Sequence, residues 1–122
     1  MTDILYKLAS SIATEEGFFM PTETLPKKNN NPGDLRGAPW LQHPIIVGGF
    51  WVADSPAQGI AGLYHQIALR VAEGWTLRQL LYSWAPPSDG NNTLQYVKDT
   101  ARRCAIDADT PIQNYLQVDF IP

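Results

Sequence analysis

Glu15 and Glu16 stand side by side at the end of a helical stripe, where a carboxyl group is well suited to proton transfer. The apolar residues Ile4, Leu5, Leu8 and Ile12 recur at helical spacing, and Gly17, followed by Phe18 and Phe19, breaks the pattern directly after the glutamates. A carboxylate at a helix C-terminus meets the negative pole of the helix dipole, and desolvation by Phe18 or Phe19 adds to the unfavourable energy of its charge. Both effects favour the protonated form, which a general acid needs in order to hand a proton to a leaving glycosidic oxygen near neutral pH. The stripe does not choose between the two glutamates, because at about 100° per residue both fall at the edges of the apolar face. The competing reading is a pair of solvated glutamates at a helix end.

The elements that must position this chemistry can be read in turn. The first helix is expected to start near Thr2 or Asp3, either of which can cap it, and to run to about Glu16. Residues 20–44 hold Pro21, Pro26, Pro32, Pro39 and Pro44 with Gly33 and Gly37, so a long helix is excluded and a loop region with turns is expected. Within it, Asn29, Asn30 and Asn31 precede Pro32 and Gly33, and Gly33 is expected to take the positive φ of a type II turn. Asparagine amides present a donor and an acceptor together, which suits the N-acetyl and hydroxyl groups of amino sugars. Asn30 and Asn31 therefore stand open between holding a turn and binding substrate.

Ile45–Val47 and Phe50–Val52, separated by Gly48 and Gly49, predict a two-stranded hairpin. Trp51, inside an apolar run, is expected in the core, and Trp40, among polar residues and prolines, is expected to stand exposed where its flat face can stack on a sugar ring. Ser55 and Pro56 open a helix that Gly74 stops, with Ile60, Leu63, Tyr64, Ile67, Ala68 and Val71 as its inward stripe. Thr76 caps a shorter helix carrying Leu77, Leu80 and Leu81, ended by Trp84-Ala85-Pro86-Pro87. A further helix is expected from about Thr93 to Cys104 with Tyr96, Val97, Thr100 and Ala101 inward, and a last helical piece from Pro111 capped by Thr110 or Asp109.

The ordered set of I-A-x-x-E-G-F (12–18), N-N-N-P-G-x-L-R (29–36), G-F-x-V-x-x-S-P-x-x-G (49–59) and W-A-P-P (84–87), with Asn92, Thr93 and Tyr96 after it, resembles the lysozyme-like muramidase and lytic-transglycosylase domains of bacteriophages and bacteria. The resemblance covers about Ile4 to Thr110. It implies a mainly α, lysozyme-like small helical domain, a single domain over residues 1–122, with a short β-hairpin beside the catalytic helix. It implies cleavage of the β-1,4 bond between N-acetylmuramic acid and N-acetylglucosamine, with the glutamate before the glycine, Glu16, as the acid. Glu15, Asn30, Asn31, Asp34, Trp40 and Tyr96 are then the candidate substrate-binding residues. Asp34 stands where the pattern usually has asparagine, which leaves open whether the position holds the turn or also acts on substrate. The implied partner is a peptidoglycan glycan strand. The alternative from another class is a non-catalytic virion or tail protein, which uses the scaffold to bind carbohydrate or other virion proteins.

Other chemistries find no support in the residue pattern. His43, His65 and Cys104 lack metal-ligand spacing, the G-x-S-x-G elbow is missing, and no glycine-rich phosphate loop precedes a helix. No metal and no cofactor is expected. The lone Cys104 has no internal disulfide partner and reads as a buried structural thiol. With 9 Lys and Arg against 12 Asp and Glu, a net charge of -3 argues against nucleic acid as a partner. Lys27, Lys28 and Arg36 still place local positive charge around the asparagine turn. The opening residues lack the basic start and apolar core of a signal peptide, and no stretch reaches membrane-spanning length, so synthesis in a cytoplasm is expected; action at a cell wall or in a virion is what the resemblance implies.

Overall fold

The computed structural model describes residues 4–116. The chain is mainly helical with one small antiparallel hairpin: α1 (Ile4–Glu15), α2 (Leu25–Lys28), β1 (Ile45–Val47), β2 (Phe50–Val52), α3 (Pro56–Ala72), α4 (Leu77–Trp84) and α5 (Thr93–Cys104), with 3-10 turns at Pro87–Asp89 and Ile112–Tyr115. The expected caps at Thr2 or Asp3 lie outside the described residues. No helix among the described residues is long and apolar enough to cross a membrane. Among the described residues, contacts divide the chain into two compact units, one of residues 4–8 and 67–116, the other of residues 9–66.

In the first unit α4 packs on α5, and Leu77, Leu80, Leu81, Val97 and Ile112 are buried. Thr76 makes the full reciprocal cap of α4: its hydroxyl accepts from Gln79 N–H, and Gln79 Oε1 accepts from Thr76 N–H. Asn92 caps α5 by accepting from Gln95 N–H. Tyr96, Val97, Thr100 and Cys104 face inward on α5, as the stripe predicts, while Ala101 is half-buried. The last helical turn has no side-chain cap. Asp109, one of its expected caps, instead forms a two-pronged ion pair with Arg78 (2.7 and 3.2 Å), whose hydrogen bond holds the Asp109 carboxyl below its ordinary range. α5 ends in a left-handed residue, Ala105 (φ 55°), with Ile106 N–H donating to Ala101 O and Ala105 N–H to Arg102 O. That is the Schellman pattern, in which glycine is the usual left-handed residue.

The second unit holds the hairpin. β1 and β2 pair in the register Ile45↔Val52, Ile46↔Trp51 and Val47↔Phe50. Gly48 (φ 59°) and Gly49 (φ 83°) both take the positive φ that a two-residue turn of matching twist requires. Trp51 is 1% exposed and is the largest side chain of this core.

The first turns of α3 break the stripe rule. Ile60, expected inward, is 45% exposed. Glycines occupy the packed face instead: a Cβ on Gly59 would lie 1.7 Å from Asn30 O, and one on Gly62 would lie 2.7 Å from both the Trp40 and Trp51 rings. The helix meets the Asn30 backbone at Gly59 and the two tryptophan rings at Gly62, approaches that leave no room for a Cβ. An apolar stripe cannot reveal a face made of missing side chains.

Candidate functional site

α1 ends in a second Schellman motif, and the two glutamates occupy different places in it. Phe18 N–H donates to Ala13 O (3.0 Å), Gly17 N–H donates to Thr14 O (3.1 Å), and Gly17 is left-handed (φ 80°). Glu16 is thus the C-cap residue, and Glu15 closes the last helical turn. Glu15 is exposed, whereas Glu16 is half-buried. Of the aromatic residues that follow, Phe18 is half-buried and stacks edge-on against exposed Phe19 at 5.4 Å.

The next segment is tied back onto this turn. Thr24 donates its hydroxyl to Gly17 O (3.0 Å) and accepts from Lys27 N–H (3.4 Å), so it both closes the loop from Gly17 and caps α2. Lys27 Nζ donates to Met20 O at 3.1 Å within the same loop. α2 then ends as α1 does: Asn31 N–H donates to Pro26 O (2.8 Å), Asn30 N–H donates to Lys27 O (3.3 Å), and Asn30 is the left-handed residue (φ 52°). Asparagine tolerates this conformation better than most residues.

The asparagine turn is fastened along the outer edge of β2. Trp51 N–H donates to Leu35 O and Ala53 N–H to Asn29 O, both at 2.9 Å. The Asn31 amide donates to Leu35 O (2.8 Å) and Trp51 O (2.9 Å) and accepts from Leu35 N–H (3.0 Å). Its side chain is 0% exposed, so Asn31 holds the turn and has no surface to offer a substrate. Asn30 donates to Ala53 O at 3.3 Å and stays half-buried. Gly59 makes room for the Asn30 carbonyl, which explains the glycine of the S-P-x-x-G run.

The turn at 31–34 differs from the type II expectation. Asp34 N–H donates to Asn31 O (3.0 Å) across Pro32 and Gly33, yet the positive φ falls on Asp34 (52°) and not on Gly33. Asp and Asn are the side chains best suited to that conformation after glycine, so backbone shape explains the residue type at this position. Burial pushes the Asp34 carboxyl above its ordinary range, an effect that nearby Arg36 partly offsets, and its buried Oδ1 has no hydrogen-bond partner.

Trp40 is half-buried, not exposed as expected, because the missing side chain of Gly62 lets it wedge in. Its ring meets Trp51 edge-on at 5.5 Å, with the exposed His65 ring 5.0 Å away. Tyr96 belongs to the first unit, where it is buried on α5. Cys104 is a buried free thiol whose pKa is raised by burial, so it is a poor nucleophile, in line with the structural role expected for it. Among the described residues no cluster of His, Cys, Asp and Glu could hold a metal ion.

The second unit therefore joins Glu16, the loop closed by Thr24, the asparagine turn and β2 through consecutive hydrogen bonds. Thr24 and Gly62 were not singled out from sequence, and Gly59 stood there only as the last residue of the S-P-x-x-G run. Thr24-Leu25-Pro26 does carry the signal of a capped helix start with an early proline. The partners of Asn31, in contrast, are backbone groups brought in by tertiary folding. The chain matches no family model, no curated protein and no solved structure.

Proposed function

We propose that this chain is a peptidoglycan-cleaving glycosidase acting on the bond between N-acetylmuramic acid and N-acetylglucosamine, with Glu16 as general acid. One observation carries the reading: a half-buried carboxyl-bearing residue caps α1 at a turn hydrogen-bonded into the segment that delivers the asparagines. A proton donor for a glycosidic oxygen needs this combination of partial shielding and fixed backbone. Glu16 protonates the leaving oxygen. It then acts as base, either for water or for the substrate's own 6-hydroxyl closing an anhydro ring. Asn30, Asp34 and Trp40 remain the residues proposed to contact the glycan, and Glu15 is the exposed neighbour of the acid. Asn31 is withdrawn from that set by its burial.

Turbidity of a peptidoglycan suspension tests the reading. Wild-type protein clears it and Glu16→Gln does not; clearing that is lost in Glu15→Gln but kept in Glu16→Gln reassigns the acid. A second reading, a non-catalytic virion or carbohydrate-binding module, draws on a different observation. All of β1, with Ile45, Ile46 and Val47, is solvent-exposed, which suits a surface covered in an assembly. Binding to peptidoglycan without any clearing supports that alternative.

A further inference from the structure

We infer that Thr24 is a positioning residue for Glu16, acting through the Gly17–Phe18 peptide; this rests on the glycosidase reading and assigns Thr24 no contact with substrate. That peptide unit directly follows the acid and is held at both ends. Its N–H, from Phe18, donates to Ala13 O at 3.0 Å and belongs to the end of α1. Its carbonyl, from Gly17, accepts the Thr24 hydroxyl at 3.0 Å and the Met20 N–H at 3.2 Å. Removal of the hydroxyl frees one side of the carbonyl and lets the peptide rotate about the φ and ψ of Gly17, the one residue of the turn with no steric barrier to doing so. That peptide closes the turn on the C-terminal side of Glu16, so loosening it widens the range of positions open to the acid.

Thr24 occupies this post because of what lies on each side of it. Gly17 offers no side chain, so the Thr24 methyl packs over it: a Cβ built on Gly17 would lie 3.4 Å from Thr24 Cγ2. The same threonine oxygen accepts the Lys27 N–H and so starts α2, whose C-terminal turn places Asn29, Asn30 and Asn31 against β2. One hydroxyl thus links the turn that carries the acid to the segment that carries the asparagines. A general acid must be held in line with the leaving oxygen, and small misplacements lower the rate of the chemical step more than they weaken binding.

The experiment compares wild type, Thr24→Val, Thr24→Ser and Glu16→Gln on soluble, uncross-linked peptidoglycan strands, at a temperature where circular dichroism shows each variant folded. Thr24→Val keeps the shape and loses the hydroxyl. Its kcat is expected to fall by about one to two orders of magnitude while KM stays within about twofold. Thr24→Ser keeps the hydroxyl and is expected to recover most of the rate. Wild-type kcat in folded Thr24→Val, with Glu16→Gln inactive, overturns the positioning role and leaves the glycosidase reading standing. Equal loss in the serine and valine variants also overturns it, since packing alone then explains the effect. Absence of product from the wild type removes the glycosidase reading and this inference together.

Discussion

Truncation of Asn31 tests how the asparagine turn is fastened to β2 in the second unit. In Asn31→Ala three hydrogen bonds disappear: two donated to Leu35 O and Trp51 O, and one accepted from Leu35 N–H. Leu35 O retains the Trp51 N–H at 2.9 Å, so the groups left without this partner are Leu35 N–H and Trp51 O. Each buried polar group left unpaired costs about 1–3 kcal/mol, so the loss is expected at about 2–6 kcal/mol before any cavity is counted. Urea titration followed by far-UV circular dichroism reads it directly. By the size scaling of unfolding entropy, a loss of about 3 kcal/mol lowers the melting temperature by roughly 10–15 °C. Asn31→Asp sharpens the test. Its carboxylate still accepts from Leu35 N–H but faces two carbonyl oxygens, so burial raises its folded-state pKa above the unfolded value. Stability is then fully present below the unfolded pKa and lost as pH rises through the folded one. A change below about 1 kcal/mol in Asn31→Ala, or an Asn31→Asp variant as stable as wild type at neutral pH, refutes the role of Asn31 in holding the turn.

Other perturbations follow from single observations. Gly59→Ala drives a methyl group into the Asn30 carbonyl, 1.7 Å away, and is expected to destabilise by about 3 kcal/mol or more in thermal melts, because both sides of the contact are backbone. Ala105→Gly relieves a left-handed alanine (φ 55°) at the end of α5; relief of about 1–2 kcal/mol, less the extra freedom of glycine when unfolded, leaves a gain of about 0.5–1 kcal/mol in urea stability. The Asp34 carboxyl has its folded pKa raised by burial against an ordinary 3.8. Its stabilising contribution is present at low pH and lost as pH rises through the folded value. Asp34→Asn is therefore expected to exceed wild type in urea midpoint at neutral pH, with the advantage fading towards about pH 3.

How much of this was legible in the chain depended on whether the determining partner lay nearby. The hairpin was readable to the residue because Gly48 and Gly49 encode their own turn, and the helix start at Thr76 was readable because a cap reaches only to the following turn. Pro32-Gly33 suggested a type II turn by its commonest pairing, but the left-handed residue is Asp34. Ile60 was misplaced because the packed face of early α3 is built from Gly59 and Gly62. At the candidate site, sequence left Asn31 open between two roles, and only the arrival of Trp51, 20 residues on, decides it. The difference in burial between Glu15 and Glu16 was likewise hidden, since the helical pattern treated them alike and the Schellman turn separates them.

The most direct test of the account's central claim is mass spectrometry of the soluble fragments released from purified sacculi by wild type and by Glu16→Gln. The account predicts disaccharide-peptides from the wild type, ending in either reducing or 1,6-anhydro N-acetylmuramic acid, and none from the variant. The same fragments in equal yield from Glu16→Gln, or none from a folded wild type, would contradict it.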